Sequence, residues 1–129
     1  MSEKSILIVD DELLIRDLLY DFFVEQGWKT SIAENGQKAL DILEDKDIDL
    51  VLTDLRMPDM DGMVLTSEMH ASYPDIPVVI MTAYPSVDTA VEALRNRVVD
   101  YVTKPFNINR LYKTVQAQLD TDKKEENRL

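Results

Sequence analysis

The feature that most constrains this chain is a rhythm repeated along its length. A short apolar run is followed, each time, by a longer stretch with apolar residues at helical spacing. Ser5-Ile6-Leu7-Ile8-Val9 is a continuous run of strand length. Residues 13–26 carry Leu14, Ile15, Leu18, Leu19, Phe22 and Phe23, the i, i+3, i+4 spacing of an amphipathic helix, and Gly27 stops it. The alternation then continues with a weaker strand at 28–33, a helix over 37–46 and a strand at 50–53. A turn, Asp59-Met60-Asp61-Gly62, leads into a helix over 63–72. A strand at 77–81, a helix over 87–96 and a short strand at 99–102 follow. A last helix starts near Asn107, which suits an N-cap, and carries Leu111, Val115 and Leu119.

Strand–helix alternation with apolar strands predicts a parallel sheet covered by helices on both faces. The fold class is therefore α/β: one flavodoxin-like, doubly wound (βα)5 sheet with the strand order 2-1-3-4-5. A chain of 129 residues is one domain's worth, and its 45% apolar content suffices for a core. Residues 1–120 are expected to form that domain, and 121–129 a polar tail, helix extension or linker. The net charge of −11 argues against gripping nucleic acid through its phosphates. Absence of cysteine removes disulfides, thiolate metal sites and cysteine nucleophiles. No apolar run approaches a membrane span, and the N-terminus lacks a signal pattern, so the expectation is a cytoplasmic location.

The polar residues at the strand ends carry the chemistry. Asp10 and Asp11 follow the first strand, Asp54 the third, Thr82 the fourth, and Lys104 the fifth, just before Pro105. In an open parallel sheet these ends share one edge, and ligands bind where strand order reverses. Order 2-1-3-4-5 places the first and third strands together there, so Asp10, Asp11 and Asp54 converge. Crowded carboxylates resist ionising together unless a cation relieves them. An all-oxygen site suits a hard ion such as Mg²⁺, which completes its shell with phosphate oxygens and water. Lys104 offers a compact positive charge to a phosphoryl group, and Thr82 a hydroxyl. The single histidine, His70, lies on a helix away from this edge, so an aspartate is the candidate nucleophile, giving an aspartyl phosphate.

Each feature alone has a plainer explanation. Two aspartates before a helix are commonly an N-cap, Lys-Pro a surface turn, and a threonine ordinary strand composition. Their joint occurrence at four strand ends is what points to a site. Two other functions share the ingredients. A flavodoxin-like cofactor binder would need a small, hydroxyl-rich phosphate loop where Asp10-Asp11-Glu12 stands. An aspartyl-nucleophile phosphatase would place its nucleophile after the first strand, with a second aspartate two residues on, where this chain has Glu12.

Four segments resemble the receiver domains of bacterial two-component response regulators: Ile6 through Glu12, Asp54-Leu55-Arg56-Met57-Pro58-Asp59-Met60-Asp61-Gly62, Met81-Thr82-Ala83, and Asp100 through Phe106. The resemblance implies that Asp54 is the phospho-acceptor. It implies that Asp10, Asp11, Asp54 and the backbone carbonyl of Arg56 hold Mg²⁺ or Mn²⁺. Lys104 would pair with the phosphoryl group, next to a cis peptide at Pro105. Small Ala83 would leave room for it, and Thr82 and Tyr101 would be the switch residues. A sensor histidine kinase or phosphotransfer protein would be the donor, and the protein a signalling switch without further enzymatic turnover. The output surface would be the fourth helix, fifth strand and fifth helix, with a homodimer through that face as a further expectation. Thr82-Ala83-Tyr84 and residues 88–94 resemble receivers attached to AAA+ transcriptional activators. One departure stands out: Arg97-Val98 replaces the family's small Gly-Ala pair. A left-handed residue ending the fourth helix is therefore expected to be Asn96, which adopts that conformation at less cost. Pro85 restricts Tyr84 to extended backbone.

Overall fold

The computed structural model describes residues 3–119. The expected polar tail at 121–129 and the domain limit at 120 lie outside the described residues. The elements run β1 (Ser5–Val9), α1 (Leu13–Glu25), β2 (Lys29–Ala33), α2 (Gly36–Asp45), β3 (Leu50–Asp54), α3 (Gly62–Ser72), β4 (Val78–Thr82), α4 (Val87–Arg95), β5 (Asp100–Thr103) and α5 (Ile108–Leu119). All strand pairs are parallel, and the sheet order is β2-β1-β3-β4-β5.

Period-two alternation along the strands divides the core into two layers. Ile6, Ile8, Leu50, Leu52, Val79 and Met81 face α1 and α5, where Leu19, Phe23, Leu111 and Val115 meet them. Leu7, Val9, Val51, Val78 and Ile80 face the other way, toward Ala39, Leu43, Leu65, Met69 and Ala93 on α2, α3 and α4. Because both faces are covered, every residue of β1, β3 and β4 is buried, which explains why these strands read as continuous apolar runs. The edge strands β2 and β5 are only partly buried and correspondingly weaker in sequence. Fully burying one Leu, Ile or Phe contributes about 1.5–3 kcal/mol, so truncating Phe23 to alanine would cost about 3–5 kcal/mol.

Two helices end the same way on different residues. After α1, Gly27 (φ 89°) donates its N–H to the Val24 carbonyl and Trp28 donates to Phe23, both at 3.0 Å. After α4, Arg97 (φ 59°) donates to Leu94 at 3.1 Å and Val98 donates to Ala93 at 3.0 Å. Both patterns are Schellman motifs with a left-handed residue just past the cap. The left-handed position is thus Arg97, not Asn96 as expected. Asn96 stays at φ −89° as the C-cap and donates its side-chain amide to the Glu92 carbonyl at 2.9 Å. Burial of Val98 against the core fixes the register that leaves Arg97 at the turn. Asn107 caps α5 as expected, accepting the N–H groups of Asn109 and Arg110.

Candidate functional site

Strand register brings the chemistry-bearing residues level at one edge. Val9 pairs with Thr53, Asp54 with Met81, and Thr82 with Thr103. Backbone bonds continue the pairing past the strands: Asp10 N–H to Ala33 at 3.1 Å, Leu55 N–H to Met81 at 2.8 Å, and Lys104 N–H to Thr82 at 2.7 Å. The side chains that follow are therefore held by the sheet rather than by mobile loops.

Asp10, Asp11 and Asp54 each place a carboxylate oxygen within 4.8 Å of the others. Asp10 and Asp54 are buried, while Asp11 is exposed. Lys104 Nζ lies 2.8 Å from Asp10 Oδ2 and 3.4 Å from Asp54 Oδ2. One ammonium thus pairs with two carboxylates, while a third, that of Asp11, stands in the same cluster. Burial, and then the neighbouring Asp10, push the Asp54 carboxyl up to about 6, although Lys104 and the Arg56 backbone N–H pull the other way. Burial works against the charge of Lys104, but the hydrogen bond and charge of Asp10, followed by Asp54, outweigh it and raise its pKa. A second cation would relieve this imbalance. The donors are all oxygen, one carboxylate opens to solvent, and no thiol or imidazole is among them, so the set fits a hard divalent ion. Asp10, Asp11 and Asp54 are the residues that could hold it.

The double aspartate is not an N-cap. Glu12 occupies that position of α1 without a side-chain bond, and Asp10 Oδ1 instead accepts the Glu12 N–H at 2.9 Å. Lys104-Pro105 is likewise more than a surface turn: the peptide is cis and the lysine is paired inward.

The loop from β3 to α3 depends on a glycine that sequence reasoning placed only in a turn. A Cβ on Gly62 would lie 2.5 Å from the Asp54 carbonyl oxygen and 3.1 Å from Leu55 Cα. Only glycine lets α3 begin this close to β3, and its N–H donates to the Leu55 carbonyl at 2.8 Å. Asp61 caps α3, accepting from Met63 and Val64 at 2.9 Å each. Asp59 adopts φ 69°, which aspartate tolerates better than most residues. The signal in the sequence was Asp-Gly at a helix start, but which backbone Gly62 approaches is a tertiary fact.

Other expected residues are near the edge but joined to different partners. Thr82 is fully buried, and its Oγ1 accepts the Tyr84 N–H at 3.0 Å. Ala83 follows it, exposed. The Tyr101 hydroxyl is 2.6 Å from Thr89 Oγ1, and Thr89 also closes the capping box of α4 with Ser86. His70 lies on α3, as expected, with its Nε2 bonded to the Asn96 carbonyl. The structure thus brings Asp10, Asp11, Asp54 and Lys104 into one cluster and leaves Thr82 and Tyr101 engaged on the α4 side.

Comparison with known proteins agrees with this geometry. The family model of the response regulator receiver domain matches residues 6–116. The regulatory protein AtoC of Escherichia coli is 48% identical over 124 residues, which are 95% of this chain and 27% of AtoC. The chain therefore spans about a quarter of that relative's length. A CheY-like receiver domain protein from Methanospirillum hungatei superposes with a TM-score of 0.91 at 31% identity, covering 96% of this chain and 99% of the other. TrrA of Thermotoga maritima, solved in complex with Mg²⁺ and BeF, gives 0.81 at 33% identity, covering 89% and 98%. With its sheet order, its acid cluster and the match along nearly all of its length, this chain belongs to the response regulator receiver domains.

Proposed function

We propose that this domain accepts a phosphoryl group on Asp54 from the phosphohistidine of a sensor kinase or phosphotransfer protein, with Mg²⁺ or Mn²⁺ in the acid cluster. The observation that carries this reading is the convergence of Asp10, Asp11 and Asp54 within 4.8 Å of one another, with Lys104 paired to Asp10 and Asp54. A carboxylate oxygen of Asp54 attacks phosphorus. The new O–P bond forms as the P–N bond of the donor breaks, and the electron pair leaves with the donor imidazole. Lys104 turns from Asp10 and Asp54 toward the phosphoryl oxygens. Thr82 exchanges the Tyr84 N–H for a phosphoryl oxygen, to which it donates its hydroxyl. Ala83 adds no bulk there. Asp10, Asp11, Asp54 and the Arg56 carbonyl hold the cation, which supplies neutralising charge for the transferring group. The Mg²⁺ and BeF in the TrrA structure support this assignment.

The domain then acts as a switch, without sustained turnover. As Thr82 moves, Tyr101 exchanges its bond with Thr89 for an inward position, and the surface of α4, β5 and α5 changes. The phosphoryl group must favour one arrangement over the other for this to happen. That surface controls a partner, a second copy or an output domain. The similarity to AtoC supports attachment to an AAA+ transcriptional activator, with DNA contacts made outside this acidic segment. Among the described residues no helix is long and apolar enough to cross a membrane, and the reading places the domain in the cytoplasm. A small acyl phosphate with Mg²⁺ should label the wild type and leave Asp54→Asn unlabelled; equal labelling of the two would sink the assignment.

A further inference from the structure

One side chain outside the acid cluster anchors it to the first helix. Arg16, half-buried on α1, donates Nη1–H to the backbone carbonyl of Asp10 at 2.9 Å. With that bond, every polar group of Asp10 is engaged. Its N–H donates to Ala33, Oδ1 accepts from Glu12, and Oδ2 accepts from Lys104. The Asp10 carbonyl belongs to the same rigid peptide unit as the Asp11 N–H. Fixing that plane fixes the direction in which the chain leaves the buried strand, and with it the position of Asp11. Asp11 has no hydrogen bond of its own to hold its carboxylate among the described residues, so its place depends on the backbone beneath it. Glu34 feels the charge of Arg16 but is served first by Lys38, and among the described residues Arg16 makes no ion pair that would account for it.

We infer that Arg16 is a positioning residue for the divalent-cation site: its bond to the Asp10 carbonyl sets the Asp10–Asp11 peptide so that both carboxylates meet Asp54. This rests on the proposed cation binding at the cluster. The inference opposes simple electrostatics. A guanidinium beside a cation site repels the cation, so removing its charge alone would tighten binding. Removing an orienting bond weakens it, typically by about ten- to a hundredfold for groups that orient ligands. The two roles therefore predict opposite signs for one measurement.

Mg²⁺ affinity, titrated by calorimetry, is compared for wild type, Arg16→Met and Arg16→Lys. Arg16→Met is expected to bind about tenfold more weakly, and Arg16→Lys, which keeps the charge and one donor, to fall between. In the metal-free proteins, the Asp11 amide NMR signal should move in Arg16→Met, because its peptide carbonyl loses a donor. The single tryptophan, Trp28, reports by fluorescence whether each variant is folded. Binding by Arg16→Met as tight as wild type or tighter, or an unmoved Asp11 signal, would overturn the inference and leave the proposed function standing. A wild type that takes up no Mg²⁺ would overturn both.

Discussion

The two flanks of the sheet's functional edge are built on different physical terms. At β1 and β3, buried carboxylates crowd a single lysine, and the arrangement is held by strand pairing and close backbone approach. At β4 and β5, short hydrogen bonds between hydroxyls link Tyr101, Thr89 and Ser86, beside a half-exposed strand and a left-handed arginine. The first flank stores unfavourable negative charge that a divalent cation would relieve under the proposed function. The second holds exchangeable bonds of modest strength, each replaceable by another partner. The difference teaches how the proposed chemistry and the proposed switching would divide: a strained, rigid cluster of charge lies beside a flank held by a few hydroxyl hydrogen bonds.

The contrast is broken most severely at Lys104. Lys104→Met leaves Asp10 and Asp54 without their cation, and losing one partner of a buried pair costs about 3–5 kcal/mol. Urea unfolding in the absence of metal, followed by Trp28 fluorescence, should show a loss of this size at about pH 8. Mg²⁺ should restore much of it. A loss no larger than that of a surface substitution would mean the carboxylates are not strained.

The opposite manipulation relieves the strain. Because the Asp54 carboxyl is raised from 3.8 to about 6, the folded protein retains a proton there that the unfolded chain has already released. Stability therefore falls as pH rises from about 4 to about 6, and stays lowered above that. Asp54→Asn should be more stable than metal-free wild type at about pH 8, by up to roughly 3 kcal/mol, with the gain vanishing near pH 4. A gain that persists unchanged in acid would trace to packing instead of charge.

On the other flank the effects are smaller. Arg97→Gly should stabilise by about 1 kcal/mol, since glycine adopts the left-handed conformation freely. Gly27→Ala should destabilise by a similar amount, about 1 kcal/mol, and nothing lies within 4 Å of a Cβ there, so that change isolates backbone strain. Equal and opposite shifts in the thermal midpoint would show that the two Schellman ends differ only in the residue at the turn. Smallest of all in stability, Thr89→Val should cost under about 1 kcal/mol, yet it should redistribute the Tyr101 ring between rotamers. Aromatic NMR signals of Tyr101 that do not move would remove Thr89 from the proposed switch.

The same contrast explains what is legible in the sequence alone. The sheet order and the meeting of Asp10, Asp11, Asp54 and Lys104 follow from apolar periodicity plus the geometry of parallel sheets, both strong and regular. Asn107 as a cap was legible because its side chain acts on its own helix. The roles of Gly62, Arg16 and Thr89 were not, because each acts on a backbone or hydroxyl brought near only by tertiary packing. Arg97 in the left-handed position ran against local preference, which favoured Asn96; burial of Val98 decided it. Local propensity is a weak guide where a core contact sets the register.

The central claim is that Asp54 carries the phosphoryl group, and it can be tested at the bond itself. Borohydride reduces an acyl phosphate to an alcohol, which converts the acceptor aspartate to homoserine. After incubation with a small acyl phosphate and Mg²⁺, reduction and peptide mapping should find homoserine at position 54 and nowhere else. Homoserine at Asp10 or Asp11, or at no aspartate in a protein that has gained phosphate, would contradict the account.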